Sequence, residues 1–475
     1  METLQRTANR GSVSTGYDID NSCKFEADNS EYLSRTPSSA GNRRTWTFSG
    51  WVKRTEIGSG GNTILSAGDT YIQFDGNALQ INFRAASENF FIITNRLFRD
   101  TSAWYHIVVQ CDTTQGTASN RAKVWVNGVQ ETSFSTSTYD NMSQNYDTLM
   151  NSTNEHEVGK YSNEETTYAN FFNGYITELH LVDGTALTPT SFGEFDDDSG
   201  IWIPKAYTGS HGTNGFYLDF EDASNMGNDA SGGTDFTETN ITAADQATDT
   251  PTNNFATGNN RHVFSNPSTL VLTEGQTKIA KTANGWETLA STIAVTSGKW
   301  YMEMQNISVP ESAMMSVFPT DIEFIGAGGQ VNNYAGKVSG DGGISYYSYN
   351  GNVYQNAGNS SYGTAWANET NTMAIALDMD NGKVYFARAN TWQNSGNPTS
   401  GATGTGAIDL IEPSKPHMMG YSIYANNTSG AVNFGGYTLS SISSAASDAN
   451  GYGTFEYAPP SGYYALCTKN LAEYG

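Results

Sequence analysis

The sequence consists mainly of short segments in which apolar and polar residues alternate, and each segment is closed by a turn rich in Gly, Asn or Asp. Residues 104–111 (WYHIVVQC) and 123–126 (KVWV) are strand candidates of this kind. Asn127-Gly128 follows the second as a two-residue hairpin turn, because both positions tolerate a positive φ. No segment carries a helical stripe of useful length. This pattern predicts an all-β protein built from antiparallel sheets.

The alternating segments fall into two blocks, and the second block contains the clearest hairpin of its half. Residues 372–378 (TMAIALD) and 383–388 (KVYFAR) alternate on either side of Asp380-Asn381-Gly382, which is a typical turn sequence. At 475 residues the chain is long enough for two such domains, each with its own core. We therefore predict two tandem β-sandwiches.

The boundaries of the two sandwiches follow from composition. Residues 1–16 are polar and lack periodicity, which indicates an extended N-terminal arm. Residues 223–262 hold few large apolar side chains and many Gly, Asn, Asp and Thr residues, which indicates a flexible linker. The first sandwich is then predicted at 17–222 and the second at 263–475.

The charge of the chain argues against several classes of partner. The 48 acidic residues outnumber the 24 basic ones and give a formal net charge of -24, so the cations that neutralise phosphates in nucleic-acid binding are missing. No stretch approaches the roughly 20 apolar residues of a membrane span, and we expect no membrane insertion. Charged residues make up only 15% of the chain, and the many Ser, Thr, Asn and Gly residues are typical of β-rich extracellular or virion proteins.

The cysteines and the N-terminal residues refine this picture. Cys23, Cys111 and Cys467 are odd in number and far apart, so the sequence predicts three small buried side chains rather than a disulfide framework or a zinc site. The N-terminal residues contain no apolar core of a signal peptide. An extracellular composition without such a segment favours a virion protein released by lysis.

Two family resemblances cover whole domains. Residues 32–54 (YLSRTPSSAGNRRTWTFSGWVKR), 102–130, 171–194 and 202–220 resemble the laminin-G-like (concanavalin A-like) jelly-roll domain of phage structural proteins. The second half, with SGKWYMEM, TMAIALDMDNGKVYF and FEYAPPSGYYALCTKNL, is similar to a SPRY domain, another twisted β-sandwich. In phage proteins of this type the two domains occur in this order with a DxPTNNF motif between them, here residues 249–255.

The resemblance implies a bacteriophage virion structural protein, such as a tail fibre or another surface appendage that mediates host attachment by binding a glycan or a protein. It implies contacts with other virion proteins through the N-terminal arm, a location on the external surface of the tail or capsid, and a possible homotrimer. Two alternatives stay open, because a fold does not determine a function. One is a purely architectural capsid or tail decoration protein, and the other is a polysaccharide depolymerase.

One motif bears on the depolymerase alternative. Residues 26–31 (EADNSE) match the Glu-x-Asp-x-x-Glu strand of glucanases with the concanavalin A-like fold, in which alternation points the carboxylates into one cleft. The intervening Ala-Asp-Asn-Ser is a turn sequence, so we predict a hairpin between Phe25 and Tyr32 instead. The six histidines are scattered without ligand or triad spacing. We expect no enzymatic activity.

Laminin-G-like domains sometimes hold calcium, so the resemblance suggests a calcium site. The candidate ligands are Asp196, Asp197 and Asp198, or Asp18 with Asp20, because carboxylate oxygens are what calcium prefers. A solvated acidic loop is the alternative, since no full ligand set can be identified.

Aromatic density is the best sequence signal for a binding surface. Tyr and Trp rings can stack on sugar rings while their polar tips stay hydrated. The candidate ligand-binding residues are Tyr347, Tyr349, Tyr354, Trp366 and Trp392. Alternation places Tyr347 and Tyr349 on one face and Tyr346 on the other, so part of this aromatic cluster belongs to the core. The tryptophans within strand segments are predicted to be core residues: Trp46, Trp51, Trp104, Trp125 and Trp300.

Overall fold

The structure, a computed structural model, describes residues 16–58, 60–85, 88–162, 169–259, 269–308, 312–322, 334–438 and 442–475. The chain forms two units, of which the first ends at Thr252 and the second begins at Asn253. Both are β-sandwiches with mainly antiparallel sheets, as the alternating pattern predicts. The predicted arm at 1–16 lies outside the described residues, except for Gly16.

The first unit contains twenty described strands. They are β1 (Ser22–Phe25), β2 (Tyr32–Arg35), β3 (Thr45–Arg54), β4 (Gly61–Ala67), β5 (Thr70–Asp75), β6 (Ala78–Ala85), β7 (Glu88–Leu97), β8 (Trp104–Asp112), β9 (Ala122–Val126), β10 (Val129–Gln130), β11 (Phe134–Ser137), β12 (His156–Val158), β13 (Lys160–Ser162), β14 (Ala169–Phe171), β15 (Gly174–Asp183), β16 (Gly193–Phe195), β17 (Trp202–Pro204), β18 (Phe216–Leu218), β19 (Thr237–Thr239) and β20 (Gln246–Ala247). Short 3-10 helices lie at Ala118–Asn120, Tyr139–Asn141, Pro189–Ser191 and Ala243–Asp245.

Sixteen of these strands form two eight-stranded sheets. Sheet I has the order β10-β9-β8-β3-β15-β1-β20, with β18 also paired to β15, and sheet II has the order β11-β7-β6-β5-β4-β12-β2-β19. Alternation along β3 points Trp46, Phe48 and Val52 between the sheets, where all three are fully buried. Trp46 meets Phe83 of sheet II edge to face, with 5.1 Å between ring centroids. Burying each such side chain stabilises the fold by roughly 1.5–3 kcal/mol.

The prediction of a flexible linker at 223–262 is wrong for residues 223–259, and residues 260–262 lie outside the described residues. β19 and β20 lie in this segment and pair with β2 and β1 at the edges of the two sheets. Three buried ion pairs fasten the segment to the first unit: Asp229 to Arg35 at 3.1 Å, Asp245 to Lys24 at 2.8 Å and Asp249 to Lys53 at 2.6 Å. Strand pairing and buried charge pairs order these residues without an apolar core of their own. The chain passes into the second unit within the motif at 249–255.

The second unit contains sixteen described strands and a C-terminal helix. They are β21 (Gly258–Asn259), β22 (Leu270–Thr273), β23 (Lys278–Lys281), β24 (Glu287–Ser291), β25 (Lys299–Ser308), β26 (Ala313–Pro319), β27 (Ile344–Tyr347), β28 (Asn352–Gln355), β29 (Gly358–Ser361), β30 (Met373–Asp378), β31 (Lys383–Arg388), β32 (Thr391–Trp392), β33 (Ile408–Asp409), β34 (His417–Ile423), β35 (Ser429–Asn433), β36 (Tyr464–Ala465) and α1 (Thr468–Tyr474), with a 3-10 segment at Pro398–Thr403.

These strands also form two sheets with a core between them. Sheet III has the order β21-β24-β34-β26-β27-β28-β29, and sheet IV has the order β22-β23-β35-β25-β30-β31-β32, with β33 and β36 paired to β31 and β25. The C-terminal segment covers the outer side of sheet IV, where Phe455 is fully buried against Tyr301. Glu303, 1% exposed, accepts the backbone N–H groups of Glu456 and Tyr457 at 2.8 Å each.

Two predicted hairpins are confirmed and one is wrong. Asn127 and Gly128 join β9 to β10 with φ angles of 48° and 75°. Asp378 pairs with Lys383 across the turn between β30 and β31. The turn after Phe25 does not close a hairpin, because β1 lies in sheet I and β2 lies in sheet II. A turn sequence alone does not determine whether the next strand stays in the same sheet.

Most predictions of buried residues are confirmed. The three cysteines are free and fully buried. All five tryptophans of the strand segments are buried, but they differ in position. Trp46 and Trp300 lie between sheets, whereas Trp51 stacks on His106 on the outer side of sheet I. In the part of the chain that the structure describes, no helix is long and apolar enough to cross a membrane.

Candidate functional site

Six aromatic side chains gather at one end of sheet III and form what we call the aromatic surface. At this end of sheet III, strands β24 and β26 begin and strands β27 and β34 end. Tyr346 points into the core and is fully buried, so alternation turns the next residue, Tyr347, to the outer side. The aromatic surface consists of Trp286, Tyr334, Tyr347, Tyr349, Tyr354 and Tyr424.

The six rings contact one another in a continuous chain. Trp286 lies at the centre, with ring centroids 5.2 Å from Tyr334, 5.6 Å from Tyr347 and 5.4 Å from Tyr424. Tyr347 in turn lies 5.8 Å from Tyr354 and 6.1 Å from Tyr349. Most of these pairs are edge-to-face or tilted, which is the arrangement that aromatic quadrupoles favour. The contacts fix the rings relative to one another and leave Tyr349 64% exposed.

A row of small hydroxyl side chains continues the outer side of sheet III beside these rings. Thr288 and Ser422 lie 2.7 Å apart, Ser422 and Ser316 3.1 Å, and Ser316 and Ser345 2.8 Å, measured between hydroxyl oxygens. All four are fully buried and satisfy one another's hydrogen bonds. Because each strand of the row is tied to the next through these side chains, the support of the aromatic surface is rigid.

Tyr334 is the member of the aromatic surface whose pKa is raised by its surroundings. Burial raises the pKa of Tyr334 to about 12, so its hydroxyl stays protonated and able to donate a hydrogen bond. The Lys337 ammonium lies 5.6 Å from the Tyr334 ring centroid, within cation–π range. The Tyr347 hydroxyl lies 3.0 Å from the Ser312 hydroxyl. The surface therefore combines apolar ring faces with hydroxyl groups at their rims.

The structure brings three of the five predicted ligand-binding residues together. Tyr347, Tyr349 and Tyr354 all belong to the aromatic surface. The prediction is wrong for Trp366, which is fully buried in the core, held there by a hydrogen bond from its backbone N–H to the Ser348 carbonyl at 2.7 Å. Trp392 lies in β32 of sheet IV, half-buried, with its ring packed on Tyr385 at 6.4 Å. These two tryptophans are not part of the surface.

Sequence reasoning missed the other three members of the aromatic surface. Trp286 precedes β24, Tyr424 follows β34, and Tyr334 lies in the loop before β27. For Trp286 a signal existed: two-residue alternation with Thr288 indicates the outer face of the following strand. For Tyr334 and Tyr424 only the pairing of strands that are distant in sequence reveals the contact.

In the acidic loop predicted as a calcium site, Asp196 forms hydrogen bonds within the loop itself. Asp196 accepts hydrogen bonds from the Ser199 backbone N–H at 2.7 Å and from its hydroxyl at 2.6 Å, which lowers the pKa of the Asp196 carboxyl. Asp197 and Asp198 are exposed in the same turn between β16 and β17. Among the described residues, no group of three or more acidic, His or Cys side chains is placed to hold a metal ion. The Asp196 carboxylate is therefore engaged within its own turn.

The glucanase-like motif also has a structural explanation. Glu31 accepts hydrogen bonds from the Lys24 ammonium at 3.0 Å, the Glu26 backbone N–H at 2.7 Å and the Asn29 amide at 2.9 Å. Glu31 is 2% exposed and Glu26 is 4% exposed. These contacts close the turn that connects sheet I to sheet II, and the carboxylates do not share an open cleft.

Comparison with known families agrees with this architecture in the first unit. Residues 27–191 match the model of a family described as the concanavalin A-like lectin/glucanases superfamily, under the name Laminin_G_3. The first unit contains a laminin-G-like jelly roll. The match ends before β16, so the residues that complete the sandwich, including β18 to β20, lie beyond the matched range. No curated protein matches the chain.

Several solved structures align with parts of the chain. The SPRY domain of human HERC1 aligns with 12% identity and a TM-score of 0.29, covering 37% of this chain and 96% of that one. A putative carbohydrate binding protein from Bacteroides ovatus aligns with 16% identity and a TM-score of 0.33, covering 48% and 60%. A heptameric SAP-like pentraxin from Limulus polyphemus aligns with 17% identity and a TM-score of 0.27, covering 36% and 80%.

Proposed function

We propose that this chain is a non-enzymatic attachment protein that binds glycan through the aromatic surface of its second sandwich. The observation that carries the proposal is the continuous set of six rings at one end of sheet III, with Tyr349 64% exposed. Clustered Tyr and Trp side chains dominate the energetics of binding surfaces, because they offer large contact areas with few rotatable bonds. Sugar rings present C–H faces to such rings and hydroxyls to their polar rims.

The setting we propose is the outside of a bacteriophage particle, on a tail fibre or a similar appendage of tail or capsid. The support for this is the resemblance of both halves to domains of phage structural proteins and the composition typical of virion proteins. In this setting the N-terminal arm contacts other virion proteins, and the chain assembles as a homotrimer. The net charge of -24 disfavours nucleic acid as a partner.

A glycan array probed with the full chain and with two matched variants tests the proposal. Tyr349→Ala removes the most exposed ring of the aromatic surface and should weaken glycan binding about tenfold, as loss of a binding hot spot does. Phe195→Ala is the control, because Phe195 is 50% exposed in the first unit and lies outside the surface. Equal binding by all three proteins, or no binding to any glycan, would refute the proposal.

Two further experiments distinguish attachment from a purely architectural role and from depolymerisation. In a reconstruction of the assembled particle, an aromatic surface open to solvent agrees with attachment, whereas one covered by neighbouring subunits makes it a packing contact. Release of new reducing ends from a bound polysaccharide would show that the chain is an enzyme after all.

A further inference from the structure

A buried lysine and two buried carboxyl groups meet in the first unit. The Lys24 ammonium lies 2.8 Å from Asp245 Oδ1 and 3.0 Å from Glu31 Oε1. The side chains of Lys24, Glu31 and Asp245 are 1%, 2% and 8% exposed, respectively. We call these three side chains the Lys24 cluster. The proposed binding of glycan makes no use of them.

Strand pairing holds the lysine opposite the aspartate. β1 and β20 are antiparallel, with Cys23 opposite Gln246, so the next position along β1 faces Asp245. Alternation points Cys23 and Phe25 into the core, and it points Lys24 to the other side of the strand. The contact between the amine and the carboxyl group is therefore fixed by the backbone of sheet I.

Hydrogen bonds fix the orientation of both carboxyl groups. Asp245 Oδ2 accepts the Thr242 backbone N–H at 2.8 Å, and this leaves Oδ1 directed at the Lys24 ammonium. The Glu31 carboxyl accepts the Glu26 backbone N–H at 2.7 Å. Groups that are held in contact in this way react as if they were present at very high concentration.

The charge of the Lys24 cluster favours a reaction within it. When all three groups are ionised they carry one net negative charge in a buried site, and charges are costly there. Burial raises the pKa of the Glu31 carboxyl, so this group holds a proton more readily than an exposed glutamate does. Condensation of the lysine with the aspartate would replace two buried charges by a neutral amide.

We propose that Lys24 and Asp245 condense into an intramolecular amide bond, with Glu31 transferring the protons. The neutral Lys24 amine attacks the Asp245 carboxyl carbon, and a bond forms between Nζ and Cγ. The bond from Cγ to Oδ1 then breaks. Two of the three protons of the original ammonium leave with Oδ1 as water, and the third stays on the amide nitrogen. Glu31 ends in the protonation state in which it began, and no oxidant or reductant takes part.

The product fits the hydrogen bonds that are already present. Asp245 Oδ2 becomes the amide carbonyl oxygen and keeps the Thr242 N–H. The amide N–H of Lys24 faces the Glu31 carboxyl, which the amine already contacts at 3.0 Å. The buried polar atoms of the new bond therefore have partners.

The bond would join the two ends of the first sandwich. Lys24 lies in β1, its first strand, and Asp245 lies directly before β20, its last described strand. Such a cross-link closes most of the first unit into one loop and restricts its unfolded chain. A force applied at the two ends of the unit would pass through the bond and not through the strands. This inference does not depend on the ligand of the aromatic surface.

The Lys53 and Asp249 pair provides a comparison within the same unit. Its charged atoms lie 2.6 Å apart, and both side chains are at most 1% exposed. The Trp104 indole donates to the Asp249 carboxylate at 3.1 Å. An indole N–H can only donate, so it cannot take a proton from the lysine. We therefore expect this pair to remain ionic.

Mass spectrometry of the full chain tests the inference. The chain should be lighter than its sequence by the mass of one water, and trypsin digestion should yield a branched peptide that joins Lys24 to Asp245. Trypsin should also fail to cleave after Lys24. Glu31→Gln keeps the shape of the side chain but cannot transfer protons, and it should slow the reaction at least about a hundredfold, so that freshly purified chains keep the unmodified mass.

Two substitutions of lysine by arginine provide the matched controls, with circular dichroism to confirm folding. Lys24→Arg retains the positive charge but lacks the amine, and it should abolish the loss of water. Lys160→Arg alters a lysine that lies 2.8 Å from the Glu157 carboxylate outside the cluster, and it should leave the loss of water unchanged.

The peptide map of the unaltered chain decides whether the bond exists, even where a variant fails to fold. An unmodified mass overturns the inference. So does a loss of water confined to one linear peptide, as in a cyclic imide at an aspartate, or a cross-link between Lys53 and Asp249. Formation of the bond at an unchanged rate in Glu31→Gln refutes the role of Glu31.

Discussion

Both sandwiches are completed by a C-terminal segment that lies over part of the unit, but the two segments are held by different interactions. In the first unit, residues 223–252 contribute carboxylates to buried ion pairs, such as Asp249 with Lys53, where both side chains are at most 1% exposed. In the second unit, the segment around Phe455 packs against Tyr301 of sheet IV, and a buried carboxylate accepts its backbone N–H groups. A polar segment can therefore be as well ordered as an apolar one when its charges find partners.

Neutralising a buried carboxylate should therefore lower the free energy of unfolding far more in the first unit than in the second. Asp249→Asn should lower the free energy of unfolding of the first unit by about 3–5 kcal/mol, because Lys53 keeps its charge in a buried site without the carboxylate. Trp104 donates to the same Asp249 side chain at 3.1 Å and loses an ionic acceptor as well. Urea unfolding, with hydrogen exchange to assign each transition to its unit, measures the change.

The control for this prediction is Asp197→Asn, which neutralises an exposed carboxylate of the same unit. It should change the free energy of unfolding by less than about 0.5 kcal/mol. Equal effects of the two substitutions would mean that the ion pairs do not hold residues 223–252 in place.

Acidification should change the stabilising contributions of two buried histidines in the first unit and of one buried carboxyl in the second unit in opposite directions. Burial lowers the pKa of His106 to about 3 and that of His156 to about 4. Both therefore take up a proton in the unfolded chain below about pH 6.5 but not in the folded chain, and their stabilising contribution falls by about 1.4 kcal/mol per pH unit for each group. The Asn151 backbone N–H donates to His156 Nε2 at 3.0 Å, a contact that protonation would break.

The contribution of Glu303 to stability changes with pH in the opposite direction. Burial raises its pKa to about 7, above its ordinary value of 4.5, so the folded second unit binds the proton more tightly than the unfolded chain does. Its contribution to stability is fully present below about pH 4.5 and is lost as the pH rises through 7. Urea midpoints at pH 7 and pH 5 test both statements. A first unit whose midpoint does not fall on acidification, or falls equally in a His156→Gln variant, would contradict the role of the histidines.

Among the substitutions of buried groups, the smallest effect on the free energy of unfolding is expected for Glu303→Gln. Glu456 and Tyr457 donate their backbone N–H groups to different oxygens of the carboxylate, so the single amide oxygen keeps one of these hydrogen bonds and loses the other. With a pKa of about 7, the Glu303 carboxyl is about half protonated at pH 7, so the substitution removes only part of a charge. The free energy of unfolding of the second unit should fall by only about 1 kcal/mol, the net value of a hydrogen bond. The same substitution should remove part of the pH dependence of the second transition. A loss of unfolding free energy as large as that caused by Asp249→Asn would contradict the predicted difference between the two units.

How much of the structure the sequence predicts depends on how far apart in the chain the interacting residues are. The hairpin at Asn127-Gly128, the inward position of Trp46 and the opposite orientations of Tyr346 and Tyr347 follow from turn chemistry and two-residue alternation, which are local. The mistaken hairpin after Phe25 shows the limit of that reasoning, because β1 and β2 pair with strands far away in the chain. Trp366 was misassigned for a related reason: it lies outside the regular strands, where alternation says nothing about burial.

The sequence by itself determined the fold class and the approximate extent of two sandwiches, because alternation and turn residues act within a few positions. It also pointed to Tyr347, Tyr349 and Tyr354 as surface rings. Only the tertiary structure decided that residues 223–252 belong to the first sandwich, that Trp286 joins those tyrosines, and that Arg35 pairs with Asp229. Each of these depends on contacts between residues far apart in the chain, such as Lys53 and Asp249, and composition carries no information about which charge meets which.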